Sequence, residues 1–384
     1  MKRSLISLAM ATFALGIAEF GMMGILGDVA SGLNVSVTRA GHLISAYSLG
    51  VAVGAPLLLV FRRLPLKRLM LMLASVIFIG NLLAAVSAGY GMLLAARFIS
   101  GLPHGAFFGA GAIVCSRIAS EGEGARAVAV MVGGMTLANL FGVPFVTFFS
   151  NLLNWRFAFA IVALMGLLAF GAMSLWLPRM APLPDSGLKG QFRFLRSRGP
   201  WLIYAGVFFG QASVYCWFSY VDPIMTEVTG FSAGAMTWVM MLAGAGMVMG
   251  NALSGKLADR YGAARVSRLI ALALVFVMTG VYFAAHLKVL SLILMTVATA
   301  GLFGIGGPLQ YLIVRYAKGG EMLGGAGIQI AFNVSNAVSA MIGGAAIHAG
   351  LGLASPALIG VPFAGIGALA LFLLVRSEKS KKDA

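Results

Sequence analysis

Long apolar segments separated by short polar ones dominate the pattern of the chain. Charged residues leave wide gaps, such as the one from Leu69 to Arg97 and the one from Arg268 to Lys288. Crossing the hydrocarbon core of a bilayer takes about 20 predominantly apolar residues at the rise of an α-helix. Because the gaps are long enough for this, the pattern predicts an all-α, polytopic membrane protein.

Twelve segments fit such helices, six on each side of a polar stretch. They lie near 4–27, 40–61, 69–88, 91–116, 125–149 and 156–177, and then near 200–222, 232–255, 264–285, 289–314, 322–349 and 356–375. The polar stretch from Pro178 to Pro200 contains five basic residues. We therefore predict an N-terminal six-helix bundle (1–177), a cytoplasmic linker (178–199), a C-terminal six-helix bundle (200–375) and a basic cytoplasmic tail (376–384).

Composition supports a membrane protein and excludes a nucleic-acid-binding one. Hydrophobic residues make up 60% of the chain and charged residues 10%, whereas about a quarter of a soluble domain is charged. The net charge of +16 does not form one basic face: 23 of the 27 Lys and Arg residues fall in loops or tails on one side of the predicted topology. Short cytoplasmic loops retain Lys and Arg. We therefore expect a bacterial inner-membrane protein with both termini in the cytoplasm.

The N-terminus also has features of a secretory signal peptide, since Lys2 and Arg3 precede an apolar run. The apolar region of a signal peptide is usually about 7–15 residues long. Here the run continues past Glu19 to Gly27. Its length favours a first helix that stays in the mature protein.

An internal repeat relates the two predicted bundles. The segment Gly50-Val-Ala-Val-Gly54 matches Gly246-Met-Val-Met-Gly250 at an offset of 196 residues, and a weaker echo pairs Gly101-Leu102 with Gly301-Leu302. Coincidence among glycine-rich helices is the alternative, but position and topology also agree. Parallel six-helix repeats are an architecture of secondary transporters, in which the substrate path lies between the halves.

The most specific motif follows the eighth predicted helix. The run from Gly255 to Gly262 reads G-K-L-A-D-R-Y-G and resembles the G-x-L-A-D-R-x-G signature of the major facilitator superfamily. The resemblance implies a loop in which Gly255, Asp259, Arg260 and Gly262 act as a conformational latch between two helices. In the first half, Arg63 occupies the position that matches Asp259, so a latch there must use other contacts.

Three further stretches are similar to the drug and sugar:proton antiporter branch of this superfamily. They are Ala18-Glu19-Phe20, Arg97 with Gly101, and Gly133 through Gly142-Val143-Pro144. The third departs from the antiporter motif because it separates Gly142 from Pro144 by one residue and lacks a trailing glycine pair. The resemblance covers nearly the whole chain and implies a transporter that works without a cofactor or metal ion and acts as a monomer.

Four titratable residues are candidates for proton coupling. A carboxylate within a spanning helix is costly unless it is protonated, paired or facing water, which makes Glu19 the leading proton carrier. Arg97 is the only basic residue well inside a span, at a depth where it can pair with Glu19, and His104 follows it on the same helical face. A static ion pair and a satisfied interior histidine are the alternatives. Asp222, near the outer interface, ranks lower and can instead end a helix or form a gate.

Amides and aromatic residues are candidates for substrate binding. Gln329, Asn333 and Asn336 form an i, i+4, i+7 stripe that suits a ligand rich in hydroxyl groups or heteroatoms, with hydrogen bonding between helices as the alternative. The other candidates are Gln211, Tyr215, Trp217 and Tyr220 in the seventh helix, part of which can be an interfacial aromatic belt, together with Gln310 and Asn139.

The resemblance implies an exporter that moves a small solute by alternating access, with proton antiport as the driving force. We expect the solute to be a sugar such as arabinose, which the resemblance and the amide stripe suggest, or a drug-like compound, which the aromatic residues suggest. Helices 1, 4, 5, 7, 10 and 11 carry nearly all the polar residues and are expected to face a central cavity. An importer or uniporter with the same fold is the first alternative. A membrane-embedded enzyme and a non-transporting sensor are remote alternatives. H-E-x-x-H, G-x-S-x-G and the phosphate-binding P-loop, which would indicate an enzyme, are missing from the sequence.

Overall fold

The computed structural model describes residues 2–61, 63–120, 124–182, 192–317 and 321–380, and these residues contain helices and no strand. The long helices of the first half are α1 (Lys2–Gly24), α2 (Val37–Val60), α3 (Leu66–Ala85), α4 (Tyr90–Ile118), α5 (Gly124–Leu137, continued by Ala138–Gly142 and Val143–Leu152) and α6 (Arg156–Trp176). Those of the second half are α7 (Arg198–Phe218), α8 (Met236–Tyr261), α9 (Ala263–Phe283), α10 (Lys288–Tyr316), α11 (Glu321–His348) and α12 (Ser355–Ser380). The predicted all-α class is confirmed.

Helix length and composition support repeated membrane crossing. Across the described ranges, eleven helices are long and apolar enough to span a bilayer. Helix α2 lies where the second span is predicted and has 24 residues with Pro56 inside it, but it is not among those eleven. The number of twelve spans therefore stays a prediction. Part of the predicted linker and the last four residues of the predicted tail lie outside the described residues.

Short helical segments interrupt the long helices where the sequence predicts continuous ones. Helix α1 ends at Gly24, three residues before the predicted end, and a separate helix, Leu26–Gly32, follows it. Helix α5 contains a π-helical turn at Ala138–Gly142. Helix α7 ends at Phe218, and the chain continues through Val221–Pro223 and a second π turn, Ile224–Val228.

The chain divides into two compact units. Unit 1 comprises Met1–Asp185 with Met236–Met241, and unit 2 comprises Ser186–Ala235 with Leu242–Ala384. In unit 1, α1 packs on α5 and α6, α2 on α4, and α3 on α4 and α6. In unit 2, α7 packs on α11 and α12, and α9 packs on α10 and α12. The pairings of α1 and α3 in unit 1 therefore recur as those of α7 and α9 in unit 2, each helix matching the one six places earlier.

Glycine contacts give the repeat a physical basis. Between α2 and α4, a Cβ atom on Gly50 would collide with the carbonyl oxygen of Phe98, and one on Gly54 with that of Leu102. Between α8 and α10, Gly246 and Gly250 lie in the same way against Thr296 and Ala300. Small residues at these positions let helix backbones approach closely, as is common in membrane proteins.

The weaker internal match, between Gly101-Leu102 and Gly301-Leu302, is out of register by two residues. These contacts make Leu102 equivalent to Ala300, whereas the echo pairs it with Leu302. Gly101 lies against the Tyr47 backbone of α2, but Gly301 lies against Leu274 of α9. The two glycines therefore serve different helix contacts.

Candidate functional site

Helix α1 places Glu19 in the interior of unit 1. Every residue from Ala14 to Gly24 is buried, because α5 and α6 pack on this helix. A helix that is apolar all round suits such a central position. Glu19 is the acidic exception in α1, and its side chain is only 1% exposed.

Side chains from three helices form a buried polar cluster that includes the Glu19 carboxylate. Glu19 Oε2 of α1 lies 3.7 Å from His104 Nε2 of α4. The other ring nitrogen, His104 Nδ1, lies 2.9 Å from the Tyr47 hydroxyl of α2, and that hydroxyl is also 3.4 Å from the Leu15 carbonyl oxygen. The residues therefore form a chain from Glu19 through His104 to Tyr47, and with Arg97 we call them the Glu19 cluster.

Arg97 lies beside this chain but binds backbone groups. Its Nη1 donates to the Ala18 carbonyl oxygen at 2.7 Å, and its Nε donates to the Leu43 carbonyl oxygen at 3.3 Å. The guanidinium carbon is 4.3 Å from the centroid of the Tyr47 ring, a cation–π distance. Among the described residues, the ion-pair partner of Glu19 within 4 Å is His104, so the expected direct pair with Arg97 is not made.

Three buried polar atoms of the cluster have no hydrogen-bond partner among the described residues. Within the described parts of the chain, neither carboxylate oxygen of Glu19 nor Nη2 of Arg97 has a hydrogen-bond partner. Leaving a buried polar group unpaired costs free energy. The cluster therefore retains unused capacity to bind a proton or a polar ligand.

Tyr47 is the member of the cluster that sequence reasoning missed. A tyrosine in an apolar helix resembles an ordinary core residue, but Tyr47 lies at i−3 from Gly50 and i−7 from Gly54 on one helical face. That face packs on α4, where Gly101 contacts the Tyr47 backbone. The glycine repeat therefore contains a signal that could have identified Tyr47.

Helix α5 contributes Asn139 from an unusual turn. Asn139 is buried, lies in the π turn Ala138–Gly142, and has no partner among the described residues for either amide atom. π turns are rare and often occur at functional sites. Gly142 packs against Ile17 of α1, whereas a Cβ on Gly133 would meet no atom within 4 Å, and Pro144 is buried. Gly142 and its turn are therefore in direct contact with α1, and so is Gly134, which follows Gly133 and lies against Ala9 and Thr12.

In unit 2, the aromatic residues predicted to bind substrate, near the end of α7 and in its extension, face the protein interior. Tyr215, Trp217 and Tyr220 are at most 1% exposed, which does not fit an interfacial belt. The Tyr220 hydroxyl donates to the Ala340 carbonyl oxygen at 2.8 Å. The Tyr215 ring packs edge-on against Phe332 of α11, with centroids 5.4 Å apart.

Several buried side chains in this region have polar atoms without a partner in the described ranges. These atoms include Oε1 of Gln211, Nε1 of Trp217, Oδ1 of Asn333 and both amide atoms of Asn336. The amide nitrogen Nε2 of Gln211 donates to the Leu302 carbonyl oxygen of α10 at 3.4 Å. Asn333 is also buried and donates to the Gln329 carbonyl oxygen of its own helix at 3.0 Å. In the described residues, this hydrogen bond of the amide stripe therefore stays within α11 and does not cross between helices.

The remaining predicted residues lie around these groups. Gln329 and Gln310 are half-buried, and Gln310 Nε2 lies 3.4 Å from the position of a Cβ on Gly325 of α11. Asp222 is buried in the short helix Val221–Pro223 that follows α7. Its backbone carbonyl accepts a hydrogen bond from Thr226 at 2.9 Å. In the described residues, no group of three or more His, Cys, Asp or Glu side chains could hold a metal ion.

The predicted latch loop is mostly helix. Helix α8 continues through Asp259 and Arg260 to Tyr261, and Gly262 alone, with φ +91°, separates it from α9. The sequence placed the helix end six residues too early, because a polar Asp-Arg-Tyr run is also compatible with a last helical turn. Asp259, Arg260 and Gly255 are exposed. The structural break therefore depends on Gly262, since positive φ favours glycine.

The region of unit 1 that matches the junction between α8 and α9 in sequence contains a contact from Lys67 to α6. The Lys67 ammonium donates to the carbonyl oxygens of Ser174 and Leu177, at 2.7 and 2.6 Å. These carbonyls lie at the C-terminal end of α6, where a cation is favourable. Arg63, which replaces the matching aspartate, is exposed.

Comparison with known proteins places these features in one family. The profile of the Major Facilitator Superfamily matches residues 8–329. The chain is 45% identical to AraJ of Escherichia coli (strain K12) over 97% of this chain and 95% of AraJ. It is 33% identical to the inner membrane transport protein YdhP of the same strain, over 97% and 96% of the two chains.

Solved structures show the same fold at much lower sequence identity. A bacterial homolog of the human lysosomal transporter Spinster, in an inward-facing and unoccupied conformation, matches with a TM-score of 0.75 at 16% identity. A D-xylose-proton symporter matches with a TM-score of 0.76, also at 16% identity. Each match covers 97% of this chain and 96% of the other.

Proposed function

Because the chain belongs to the Major Facilitator Superfamily, it is a multi-pass membrane transporter of small molecules, and we propose that it exports its solute in exchange for protons. In this proposal the protein lies in the bacterial inner membrane with both termini in the cytoplasm. The single observation that carries the proton-coupling step is the buried Glu19 carboxylate, which has no hydrogen-bond partner among the described residues and faces His104 at 3.7 Å.

The cost of burying charge links protonation of Glu19 to conformation. A carboxylate in a membrane interior is favourable only when it is neutralised, paired or hydrated. In the described structure, His104 and the backbone-bound Arg97 surround it without donating a hydrogen bond to it. We propose that Glu19 carries the proton, that Arg97 and His104 change its environment between conformations, and that Asp222 contributes to an outer gate.

The solute in this proposal is polyhydroxylated, as a sugar is. Hydroxyl groups both donate and accept hydrogen bonds, and amide side chains offer both functions in return. Asn336 and Asn139 have both amide atoms unpaired in the described residues, and Gln211 has one. Aromatic rings such as Tyr215 and Trp217 add flat apolar surfaces. The further candidate contacts are Tyr220, Gln310, Gln329 and Asn333.

Inside-out membrane vesicles that contain the protein test export by proton exchange. With an acidic interior, we expect radiolabelled substrate to accumulate inside, and a protonophore to abolish the accumulation. Vesicles without the protein serve as the control, and a panel of sugars and antibiotics identifies the substrate. Equilibration that ignores the pH gradient would identify a uniporter, and gradient-driven loss of preloaded substrate would identify a proton-coupled importer. Either result would overturn antiport.

Asn336 allows a sharp test of substrate binding. We expect Asn336→Leu to retain or raise thermal stability, because both amide atoms lack a partner in the described structure, while substrate affinity falls roughly tenfold through the loss of ligand hydrogen bonds. Binding and thermal unfolding are measured on the same purified protein. Ser339→Ala is the matched control, because in the described structure its buried hydroxyl donates to the Asn336 carbonyl oxygen of the same helix, at 3.2 Å. A loss of stability with unchanged affinity would identify Asn336 as a packing residue.

A further inference from the structure

An arginine-lined cavity lies at the end of unit 2 where α7 begins and α10 ends. It has a volume of about 400 Å³ and is lined by Arg193, Phe194, Arg196, Ser197 and Tyr316. The first four residues belong to or directly follow the 3₁₀ turn Arg193–Arg196, which precedes α7. Tyr316 is the last residue of α10. The proposed transport function uses none of these residues.

Local hydrogen bonds and close packing hold this turn in place. The Phe194 side chain is buried, the Ser197 hydroxyl donates to the Phe194 carbonyl oxygen at 3.0 Å, and Trp201 Nε1 donates to the Leu195 carbonyl oxygen at 2.8 Å. Gly199 lies directly against the Tyr316 ring, where any side chain would collide. The two arginines therefore lie on a turn that hydrogen bonds and packing hold in place.

The cavity carries positive charge that the described residues do not neutralise. Arg193 and Arg196 are exposed, and neither has an ion-pair partner within 4 Å in the described part of the chain. Behind Tyr316, Glu378 of α12 accepts a hydrogen bond from the Tyr316 hydroxyl through Oε1 at 3.2 Å, and it does not line the cavity. Planar guanidinium groups match the geometry of phosphate oxygens. The cavity therefore suits a phosphate-bearing anion.

The position of the cavity favours a lipid as the source of that phosphate. Helices α7 and α10 are both long and apolar enough to span a membrane, so the start of one and the end of the other lie at a membrane surface. Trp201 is 57% exposed and Phe192 is 48% exposed beside the arginines. Exposed aromatic residues at this level anchor proteins in the interface, and nearby Lys and Arg attract anionic lipids.

We propose that the cavity lined by Arg193, Arg196, Ser197 and Tyr316 binds the phosphate of an anionic phospholipid headgroup, with Trp201 and Phe192 in contact with its acyl-chain region. Phosphatidylglycerol is the probe. A zwitterionic lipid carries a compensating positive charge and therefore binds less well to the two arginines. Soluble phosphate lacks the acyl chains that contact the exposed aromatic residues.

Native mass spectrometry of the full-length protein tests lipid binding. We expect more bound phosphatidylglycerol than phosphatidylcholine, and excess inorganic phosphate should not displace it. The Arg193→Gln/Arg196→Gln variant should bind phosphatidylglycerol about tenfold more weakly, because each basic residue near a membrane surface contributes to the attraction. Lys2→Gln/Arg3→Gln is the matched control, since it removes the same charge from two exposed residues that do not line the cavity. Equal loss in both variants, unchanged binding in the first, or displacement by phosphate would overturn the proposal.

A fluorescence measurement gives an independent test that leaves both arginines in place. Phosphatidylglycerol with brominated acyl chains should quench the tryptophan fluorescence of the wild-type protein more than brominated phosphatidylcholine does. Trp201→Phe should abolish that difference, because Trp201 is the exposed indole beside the cavity. Equal quenching by the two lipids, or a difference that persists in Trp201→Phe, would contradict binding at this cavity.

Discussion

Glu19→Gln is expected to retain exchange of substrate across the membrane and to lose accumulation driven by a proton gradient. Glutamine has nearly the same size as glutamate, but it neither carries the charge nor binds and releases the proton. With exchange of one proton for each uncharged substrate molecule, a pH difference of one unit sustains about a tenfold concentration ratio, since a tenfold ratio corresponds to about 1.4 kcal/mol. The variant should reach a ratio near one, as measured in proteoliposomes with an imposed gradient.

The surroundings of Glu19 explain why substrate exchange should survive in this variant. The carboxylate accepts no hydrogen bond in the described structure, so the substitution breaks none there. Arg97 keeps its bonds to the Ala18 and Leu43 carbonyl oxygens, and His104 keeps its contact with Tyr47. Glu227→Gln is the matched control, because it makes the same chemical change at an exposed carboxylate and should leave accumulation unchanged. Full gradient-driven accumulation by Glu19→Gln would remove Glu19 from the coupling mechanism.

The sequence could identify members of the Glu19 cluster but not their contacts. Glu19, Arg97 and His104 stand out because polar residues are costly in a spanning helix. Which of them meet depends on helix rotation and on the distance between helices. Here the Arg97 side chain reaches the backbone next to Glu19, and Gly101 contacts the Tyr47 backbone. The spacing of residues along one helix gives neither the rotation of that helix nor its distance from its neighbours.

Helix existence was easier to predict than helix ends and internal turns. Long apolar runs are a strong signal because the bilayer requires a minimum length. By contrast, the π turn at Ala138–Gly142 lies where α5 packs on α1. The hydrophobic pattern of an apolar run does not indicate such a turn. The end of α8 at Tyr261 likewise depends on the positive φ of Gly262, rather than on the polar residues before it.

Gly54→Ala is expected to destabilise unit 1 strongly, because α2 and α4 touch at this position. The new Cβ would collide with the carbonyl oxygen of Leu102 and with the backbone atoms beside it. A backbone within a packed helix cannot rotate away as a side chain can, so the two helices must separate. Overpacking typically costs about 1–3 kcal/mol, and we expect the upper part of that range. Thermal unfolding of the purified protein measures the loss.

The internal repeat supplies a second site for the same experiment. Gly250→Ala would meet the Ala300 carbonyl oxygen between α8 and α10, so its loss of stability should match that of Gly54→Ala. Gly171→Ala in α6 is the control, because a Cβ there meets no atom within 4 Å and alanine is the better helix former by up to about 1 kcal/mol. Since the α2–α4 contact also holds Tyr47 beside His104, Gly54→Ala should reduce proton-driven accumulation in whatever fraction remains folded. Equal stability of all three variants would show that these close contacts do not determine the packing of either unit.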